Sequence, residues 1–230
     1  MKAGEDVNIT VFGDSILKGI VLENGRYSIN HDWERRLSDE CGLIIRNCSR
    51  FGCTIGKAMA AIRRHSAQPA EGEDAVLELG GNDCDYDWAA ISADPEGEHL
   101  CNTPPEEFRS RYREAIALLR RSGRRIVMLT LPPIHSERYL RFLCRNGLSY
   151  DNILRWLGDV EHISRWQSHY NDIVREIAKE EQAELIDIRA AFPAQPEALA
   201  PLLCDDGIHP SRSGQKLIYQ TLRARLAAAN

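Results

Sequence analysis

Five short apolar runs, separated by longer segments with helical periodicity, limit the folds open to this sequence. The runs predict strands at Val7–Phe12, Leu43–Asn47, Ala75–Leu79, Ile126–Leu131 and Glu184–Ile188. Each run is almost continuously hydrophobic, as is typical of strands buried on both faces of a sheet. The other segments predict helices at Trp33–Glu40, Gly56–His65, Pro105–Arg121, Ile163–Glu181 and Ser211–Ala228. This alternation indicates parallel pairing with right-handed crossovers, and therefore a three-layer α/β/α sandwich.

The length of the chain suits one domain with two long connections. The chain has 230 residues, of which 43% are hydrophobic, which is enough for a single buried core. We therefore expect one domain over residues 1–230, with insertions near 83–104 and 133–162. The first insertion is acidic and loop-like, and the second mixes aromatic residues with arginines. Long connections are usually functional or disordered, and we expect the aromatic one either to cover the substrate or to contact a second copy.

Charge and cysteine content narrow the setting of the protein. The formal net charge is −5, so there is no electrostatic reason to expect binding to nucleic acid or to an anionic membrane. Residues 1–6 are polar, and the apolar run that follows is too short for a signal peptide or a membrane span. Seven scattered cysteines without a Cys-x-x-Cys pair predict reduced thiols and a cytoplasmic protein. The seven histidines form no close ligand pair, so we expect no metal site.

A serine stands directly after the first predicted strand. The run Phe12-Gly13-Asp14-Ser15 lies where the chain is expected to turn toward a helix, and open parallel sheets bind ligands beyond the carboxyl ends of their strands. A helix that starts there would offer backbone N–H groups to a developing negative charge. The alternative is that Ser15 only caps this helix, since serine is a common N-cap residue.

A histidine and an aspartate near the C-terminus can activate this serine. A hydroxyl group needs a base before it attacks at neutral pH, and His209 lies in the loop Asp206–Pro210, just before the last predicted helix. This loop is expected at the same edge of the sheet as Ser15. Asp206 can reach the second imidazole nitrogen and fix its tautomer. Two alternatives stay open: Asp206 is only a turn-forming residue, or the adjacent Asp205 takes its role.

Two further strand ends offer hydrogen-bond donors. Acyl transfer through a tetrahedral intermediate needs donors for the oxyanion. Gly52, after the second strand, allows a backbone N–H to approach closely, and Asn82, after the third, carries a side-chain amide. With the N–H of Ser15, these make three donors from three strand ends, although Gly52 and Asn82 taken singly are also ordinary turn residues.

In combination, four motifs of this chain resemble one family. They are Phe12-Gly13-Asp14-Ser15, Gly52 in the run Asn47–Gly52, Gly80-Gly81-Asn82-Asp83, and the run Asp206–Ser211. Together they span almost the whole chain, and with them the chain resembles the GDSL-type, or SGNH, hydrolases. The resemblance implies a flavodoxin-like five-stranded parallel sheet of order 2-1-3-4-5. It also implies hydrolysis of an ester or thioester through an acyl-enzyme, with no metal or cofactor.

The same resemblance implies a role for each site residue. Ser15 would be the nucleophile, His209 its base and Asp206 the partner of that base. Ser15, Gly52 and Asn82 would form the oxyanion hole. The Gly-x-Ser-x-Gly elbow of the larger α/β-hydrolases does not occur around Ser15.

The motifs leave the substrate open. Similar proteins include lipid esterases, lysophospholipases, thioesterases and carbohydrate O-acetyl esterases. We expect a small soluble ester, with an O-acetylated sugar preferred. The alternatives are a lysophospholipase- or thioesterase-type acyl hydrolase, and a non-catalytic binding protein that retains the fold. A phosphate-binding turn is disfavoured because the chain has neither GxxxxGK[ST] nor GxGxxG. The oligomeric state does not follow from the sequence.

Overall fold

A parallel sheet forms the centre of the computed structural model, which describes residues 9–228, with side chains described as far as residue 225. The strands of this part of the chain are β1 (Ile9–Gly13), β2 (Ile20–Glu23), β3 (Arg26–Ile29), β4 (Ile45–Asn47), β5 (Asp74–Glu78), β6 (Arg125–Leu129) and β7 (Glu184–Ile186). Five of them pair in parallel in the order β4-β1-β5-β6-β7, and β2 and β3 form a separate antiparallel hairpin. When the five strands of this sheet are numbered along the chain without β2 and β3, their order is the predicted 2-1-3-4-5. Val7, Asn8 and the polar residues 1–6 lie outside the described residues.

Helices cover both faces of this sheet. Within the described range they are α1 (Asp32–Cys41), α2 (Ile55–Ser66), α3 (Trp88–Ala93), α4 (Pro105–Arg121), α5 (Ser136–Cys144), α6 (Tyr150–Leu157), α7 (His162–Glu180), α8 (Pro196–Leu199) and α9 (Arg212–Ala228), with short 3-10 turns at Arg189–Ala191 and Ala200–Leu202. Each of the five predicted helices is present, and the sandwich predicted from the alternation is confirmed. No helix among residues 9–228 combines the length and apolar character needed to span a bilayer.

Successive side chains of the central strands face opposite helical layers. On β5, Ala75 and Leu77 pack with residues of α2, α4 and α7, whereas Val76 packs with residues of α1 and α9. Because both faces are covered, the central strands are apolar along most of their length, and this produces the nearly continuous apolar runs in the sequence. The polar residues that remain are concentrated where the strands end.

The β2–β3 hairpin occupies the place where the sequence predicted a helix. Ser15–Gly19 forms a hydrogen-bonded turn, and α1 begins only at Asp32. The prediction of a helix start at Ser15 is therefore wrong, and so is the alternative that Ser15 caps one. The sequence signal for the hairpin is Asn24-Gly25, with φ angles of 52° and 73°, which is the dipeptide that suits a two-residue hairpin turn.

The two long connections contain helices that pack against each other. Helix α3 lies in the first connection, and α5 and α6 lie in the second. Their apolar side chains share one buried cluster with the start of α7: Trp88, Ile91, Tyr139, Leu140, Ile153, Leu157 and Ile163. The first connection is therefore not the extended loop that its acidic composition indicated, because its apolar residues are buried against the second.

Candidate active site

Three of the polar residues singled out in the sequence meet at the carboxyl edge of the sheet. Ser15 follows β1, and His209 and Asp206 lie in the loop before α9. Ser15 Oγ is 2.9 Å from His209 Nε2, and His209 Nδ1 is 2.7 Å from Asp206 Oδ2. All three side chains are buried. A hydroxyl, an imidazole and a carboxylate joined in this order can move a proton from the serine to the imidazole.

The loop that carries His209 is packed against α5. Gly207 O accepts a hydrogen bond of 2.8 Å from His135 N. Gly207 has a φ of 76° and sits so close to α5 that an added Cβ would lie 2.8 Å from both His135 O and Tyr139 N. Glycine is required here by conformation and by space. The connection 133–162 therefore supports the position of His209.

Asp206 is surrounded by donors. Oδ1 accepts from the backbone N–H groups of Ile208 and His209 at 3.1 and 3.0 Å, and Oδ2 accepts from His209 Nδ1 and from the Tyr27 hydroxyl at 3.2 Å. Burial raises the pKa of Asp206, but the hydrogen bonds and charge of His209 and the backbone N–H groups outweigh burial and hold this pKa below its usual value. Asp206 is therefore ionised at neutral pH. Asp205, the alternative partner, is exposed.

Two aromatic rings flank the imidazole of His209. Phe51 is stacked on it with ring centroids 5.6 Å apart, and Tyr27 meets it edge-on at 5.5 Å. Phe51 is 54% exposed and Tyr27 43% exposed. These two rings form the rim through which a group next to His209 reaches the solvent.

Asn82 lies at the site but is already hydrogen-bonded. Its Nδ2 donates to Asp14 Oδ2 over 2.9 Å, and Asp14 Oδ1 accepts from Ile16 N over 2.8 Å. The Asp14 carboxylate thus joins the turn that carries Ser15 to the loop that follows β5. Asn82, Ser15 and Asp14 all line the same cavity.

Gly52 occupies a turn between Phe51 and α2. Its φ is 65°, a conformation that glycine adopts without strain, and a Cβ there would meet no heavy atom within 4 Å. The backbone conformation therefore explains the glycine at this position. Phe51 is among the described residues that line the cavity, and Gly52 is not.

A cavity of about 280 Å³ opens beside Ser15. Ser15, Asn82 and His209 are among the residues that line it. The walls are mainly apolar and aromatic side chains from the two long connections and the start of α7: Trp88, Leu131, Ile134, Phe142, Leu143, Leu157, Ile163 and Trp166. Of the two roles predicted for residues 133–162, this lining supports the substrate-facing one.

The aspartates of the first connection stabilise its structure. Asp85 is half-buried in the cavity wall and accepts hydrogen bonds from Trp88 Nε1 at 2.7 Å and from the Tyr139 hydroxyl at 3.0 Å. Asp87 caps α3 by accepting from two backbone N–H groups. Asp83 is buried, and both of its carboxyl oxygens accept from the N–H of Ile55, the first residue of α2. These carboxylates have internal donors, so the acidic composition does not produce an open anionic mouth.

The chain matches a known family over most of its length. A model of the GDSL-like Lipase/Acylhydrolase family matches residues 11–217, which include all four motifs. The chain belongs to this family. The GDSL-like chain is therefore an enzyme that acts on ester bonds, and the resemblance found in the sequence is confirmed.

Solved structures share the fold of this GDSL-like hydrolase at low sequence identity. A lipase/acylhydrolase from Enterococcus faecalis has a TM-score of 0.64 at 19% identity, with 96% of each chain covered. An acetylxylan esterase from Geobacillus stearothermophilus, solved as a catalytic mutant, has a TM-score of 0.63 at 17% identity over 98% of this chain and 96% of that one. An α/β hydrolase from the metagenome of Lake Arreo, Spain, has a TM-score of 0.63 at 20% identity over 100% and 98%. No protein of curated function matches the chain significantly in sequence.

Sequence reasoning missed three side chains of the GDSL-like site. Tyr27 depends on the hairpin, for which the Asn-Gly turn is the signal. Glu78 is a charged residue inside the apolar run Ala75–Leu79, and such an interruption in a central strand is a signal in itself. Phe51 has no signal, since only the fold brings its ring onto His209.

The described part of the chain carries no group of three or more His, Cys, Asp or Glu side chains arranged to hold a metal ion. All seven cysteines are free thiols. The cytoplasmic location inferred from cysteine content stays a prediction.

Proposed function

We propose that the protein is a serine esterase that cleaves a carboxylic ester through an acyl-enzyme on Ser15. The observation that carries this proposal is the buried chain from Ser15 Oγ through His209 to Asp206, with distances of 2.9 and 2.7 Å. A serine hydroxyl in contact with an oriented imidazole is the arrangement that activates it as a nucleophile. The chain of contacts ends at a cavity large enough for an acyl group.

The reaction would run in two stages. Ser15 Oγ attacks the carbonyl carbon while His209 Nε2 takes the hydroxyl proton. His209 returns this proton to the alcohol oxygen as the ester C–O bond breaks, which leaves the acyl group on Ser15. Water then gives a proton to His209 and attacks the acyl carbon, and the carboxylic acid departs as Ser15 regains its proton. Asp206, which is ionised, stabilises the imidazolium in both stages.

The oxyanion of each tetrahedral intermediate would be bound by donors from three loops. We assign this role to the backbone N–H groups of Ser15 and Gly52 and to the side-chain amide of Asn82. An amide nitrogen carries two hydrogens. Asn82 directs one to Asp14, so the second is available to the substrate.

The cavity supports an acyl group larger than acetyl. Its volume is about 280 Å³, whereas a group of water's size occupies roughly 30 Å³, so acetyl alone would leave most of it empty. Its walls are apolar, and burial of each methylene contributes about 0.8 kcal/mol. We therefore favour a medium-length or branched apolar acyl group, carried by an oxygen ester or by a thioester or lysophospholipid.

An O-acetylated carbohydrate is the second candidate. Two observations favour it: one structural relative is an acetylxylan esterase, and the exposed rings of Phe51 and Tyr27 lie beside His209, which must protonate the leaving alcohol. Sugars pack well on aromatic rings, so these rings suit a carbohydrate leaving group.

Covalent labelling and an acyl-chain series test these proposals. A fluorophosphonate should add once to the protein and fail to add to Ser15→Ala, as measured by intact mass. The purified protein should then cleave p-nitrophenyl esters, with kcat/KM rising from acetate to medium-length chains. A maximum at acetate would favour the carbohydrate candidate. Absence of both adduct and turnover in a folded protein would favour a binding protein and overturn the enzyme mechanism.

A further inference from the structure

Two buried carboxyl groups lie next to each other at the active site. Asp14 directly precedes Ser15, and Glu78 ends β5, where its Cα pairs with that of Gly13. Asp14 is 1% exposed and Glu78 is fully buried. Both line the cavity beside Ser15, and neither takes part in the proton transfers described above.

The two groups have unequal partners. Asp14 accepts hydrogen bonds from Ile16 N and from Asn82 Nδ2. The backbone N–H groups of Asp14 and Leu17 face the Glu78 carboxyl, but among the described residues no donor reaches either of its oxygens with full hydrogen-bond geometry. The register of β1 and β5 sets Glu78 opposite Gly13, the residue before Asp14, and both carboxyl groups line the same cavity, so the Asp14 carboxyl is the acidic group next to Glu78. Two ionised carboxylates only repel each other, so a hydrogen bond between them requires that one carries a proton.

Glu78 is the residue that carries this proton. Burial raises the pKa of Glu78 well above its usual value, and the negative charge of Asp14 raises it further. Burial raises the pKa of Asp14 as well, and the N–H of Ile16 and the charge of His209 reduce this rise without cancelling it.

The other titratable groups that face the pair do not reverse this assignment. Tyr112, from α4, has a buried hydroxyl without a partner. Asp83, from the loop after β5, adds negative charge near Asp14 and Tyr112. His209 is the cationic group among them when it is an imidazolium, and its charge lowers the pKa of Asp14.

We propose that Glu78 is a positioning residue. Its protonated carboxyl group donates a hydrogen bond to the Asp14 carboxylate, and this bond keeps Asp14 in the position from which it directs Asn82 toward the oxyanion. The neutral acid limits the pair to one negative charge at the place where the substrate develops another. Loss of the proton would put two charges beside the oxyanion and loosen Asn82. This inference rests on the proposed function, because Asn82 matters here as an oxyanion donor.

Substitutions at Glu78 test the inference through kcat, KM and their pH dependence. Glu78→Gln keeps a donor for Asp14, and we expect its kcat within about threefold of wild type, since a neutral hydrogen bond is kept. Glu78→Leu removes the donor, and we expect kcat to fall about ten- to a hundredfold with KM nearly unchanged, because one oxyanion donor contributes about 10²- to 10³-fold. Wild type should lose kcat at alkaline pH as Glu78 ionises, and Glu78→Gln should not.

A matched control lies at the other end of the same strand. Glu73, just before β5, is also buried and pairs with Arg124 at 2.7 Å. Glu73→Gln should lower the melting temperature without changing kcat or its pH profile. This variant separates the loss of a buried acid from the loss of the Asp14 partner.

Three results would overturn the inference. The first is a folded Glu78→Leu with the kcat and pH profile of wild type. The second is an equal loss of kcat in Glu78→Gln and Glu78→Leu. The third is a Glu78→Gln variant whose kcat still falls at alkaline pH as in wild type. If Glu78→Leu does not fold, the test is whether the loss of kcat at alkaline pH is present in wild type and absent in Glu78→Gln. Ser15→Ala is measured in parallel: if it stays active, the proposed function itself is wrong, whereas an inactive Ser15→Ala with unaffected Glu78 variants refutes only the role of Glu78.

Discussion

The Tyr27 hydroxyl donates a hydrogen bond of 3.2 Å to Asp206 Oδ2, the same oxygen that accepts from His209 Nδ1. The two residues are 179 positions apart in the sequence, and the β2–β3 hairpin brings them together. Burial, followed by the charge of Asp206, raises the pKa of Tyr27, so the phenol remains a neutral donor at working pH. The hairpin thus supplies a hydrogen-bond donor to the carboxylate that contacts His209.

Tyr27→Phe should lower kcat modestly and keep the fold. The change removes one hydrogen bond to Asp206, and a loss of about 1 kcal/mol corresponds to roughly fivefold in kcat. KM should change little because the ring remains. Steady-state kinetics on one ester measures this effect, with Tyr27→Ala as the comparison. Full activity in Tyr27→Phe would mean that only the ring of Tyr27 matters.

Changes at His209 and Asp206 should differ in severity. His209→Ala removes the base, and we expect ester hydrolysis to fall by roughly three or more orders of magnitude. Asp206→Asn should retain more activity, because Asp206 orients and stabilises the imidazole without taking the proton. Initial rates, with melting temperatures as a check on folding, measure both variants. Equal losses in the two folded variants would contradict the role given to Asp206.

Narrowing the cavity should change the acyl-chain profile. Ile134 lines the cavity and is only partly buried, so Ile134→Trp adds bulk without filling a closed core. We expect kcat/KM for medium-length esters to fall about tenfold while acetate changes little, which corresponds to the loss of about two buried methylenes. Leu100→Trp is the control, since Leu100 is 80% exposed and lies outside the cavity lining. A uniform loss across all chain lengths would contradict an acyl site at Ile134.

Asp83 should make stability depend on pH. Burial raises the pKa of Asp83 from 3.8 to about 7. The neutral form is favoured in the folded state, so this stabilisation is present below the unfolded pKa and is lost as pH rises through about 7. The free energy of unfolding, measured with denaturant, should differ less between about pH 4 and about pH 8 in Asp83→Asn than in wild type. Asp87→Asn, which keeps the cap of α3, should behave as wild type; an unchanged difference in Asp83→Asn would contradict the assignment.

Gly207→Ala should damage the site more than a comparable change elsewhere. The added Cβ would meet backbone atoms of His135 and Tyr139 at 2.8 Å in a left-handed conformation, so the loop that carries His209 must move. We expect a destabilisation of about 1–3 kcal/mol and a loss of kcat. Gly147→Ala is the matched control, because Gly147 also has a positive φ but has nothing within 4 Å of the added atom. Equal kcat in both variants would show that contact with α5 does not position His209.

The hydrophobic periodicity of the sequence was sufficient to predict the layers of the fold. Runs such as Ala75–Leu79 predicted buried strands because a strand covered on both faces must be apolar throughout. Helix ends were predicted well where a local signal exists, as at Pro105, which begins α4. The error at Ser15 arose from reading strand and helix as strictly alternating and passing over Asn24-Gly25.

The sequence by itself determined the sandwich, the strand order implied by the family resemblance, and the residue types available for acyl transfer, because these follow from local patterns and motifs. The tertiary structure alone decided which atoms meet: that Asp206 and not Asp205 contacts His209, that Phe51 and Tyr27 flank the imidazole, and that Glu78 lies against Asp14. It also decided that the two long connections fold together into an apolar cavity. Such contacts join residues far apart in the chain, and their distances depend on the packing of whole elements, which no local pattern encodes.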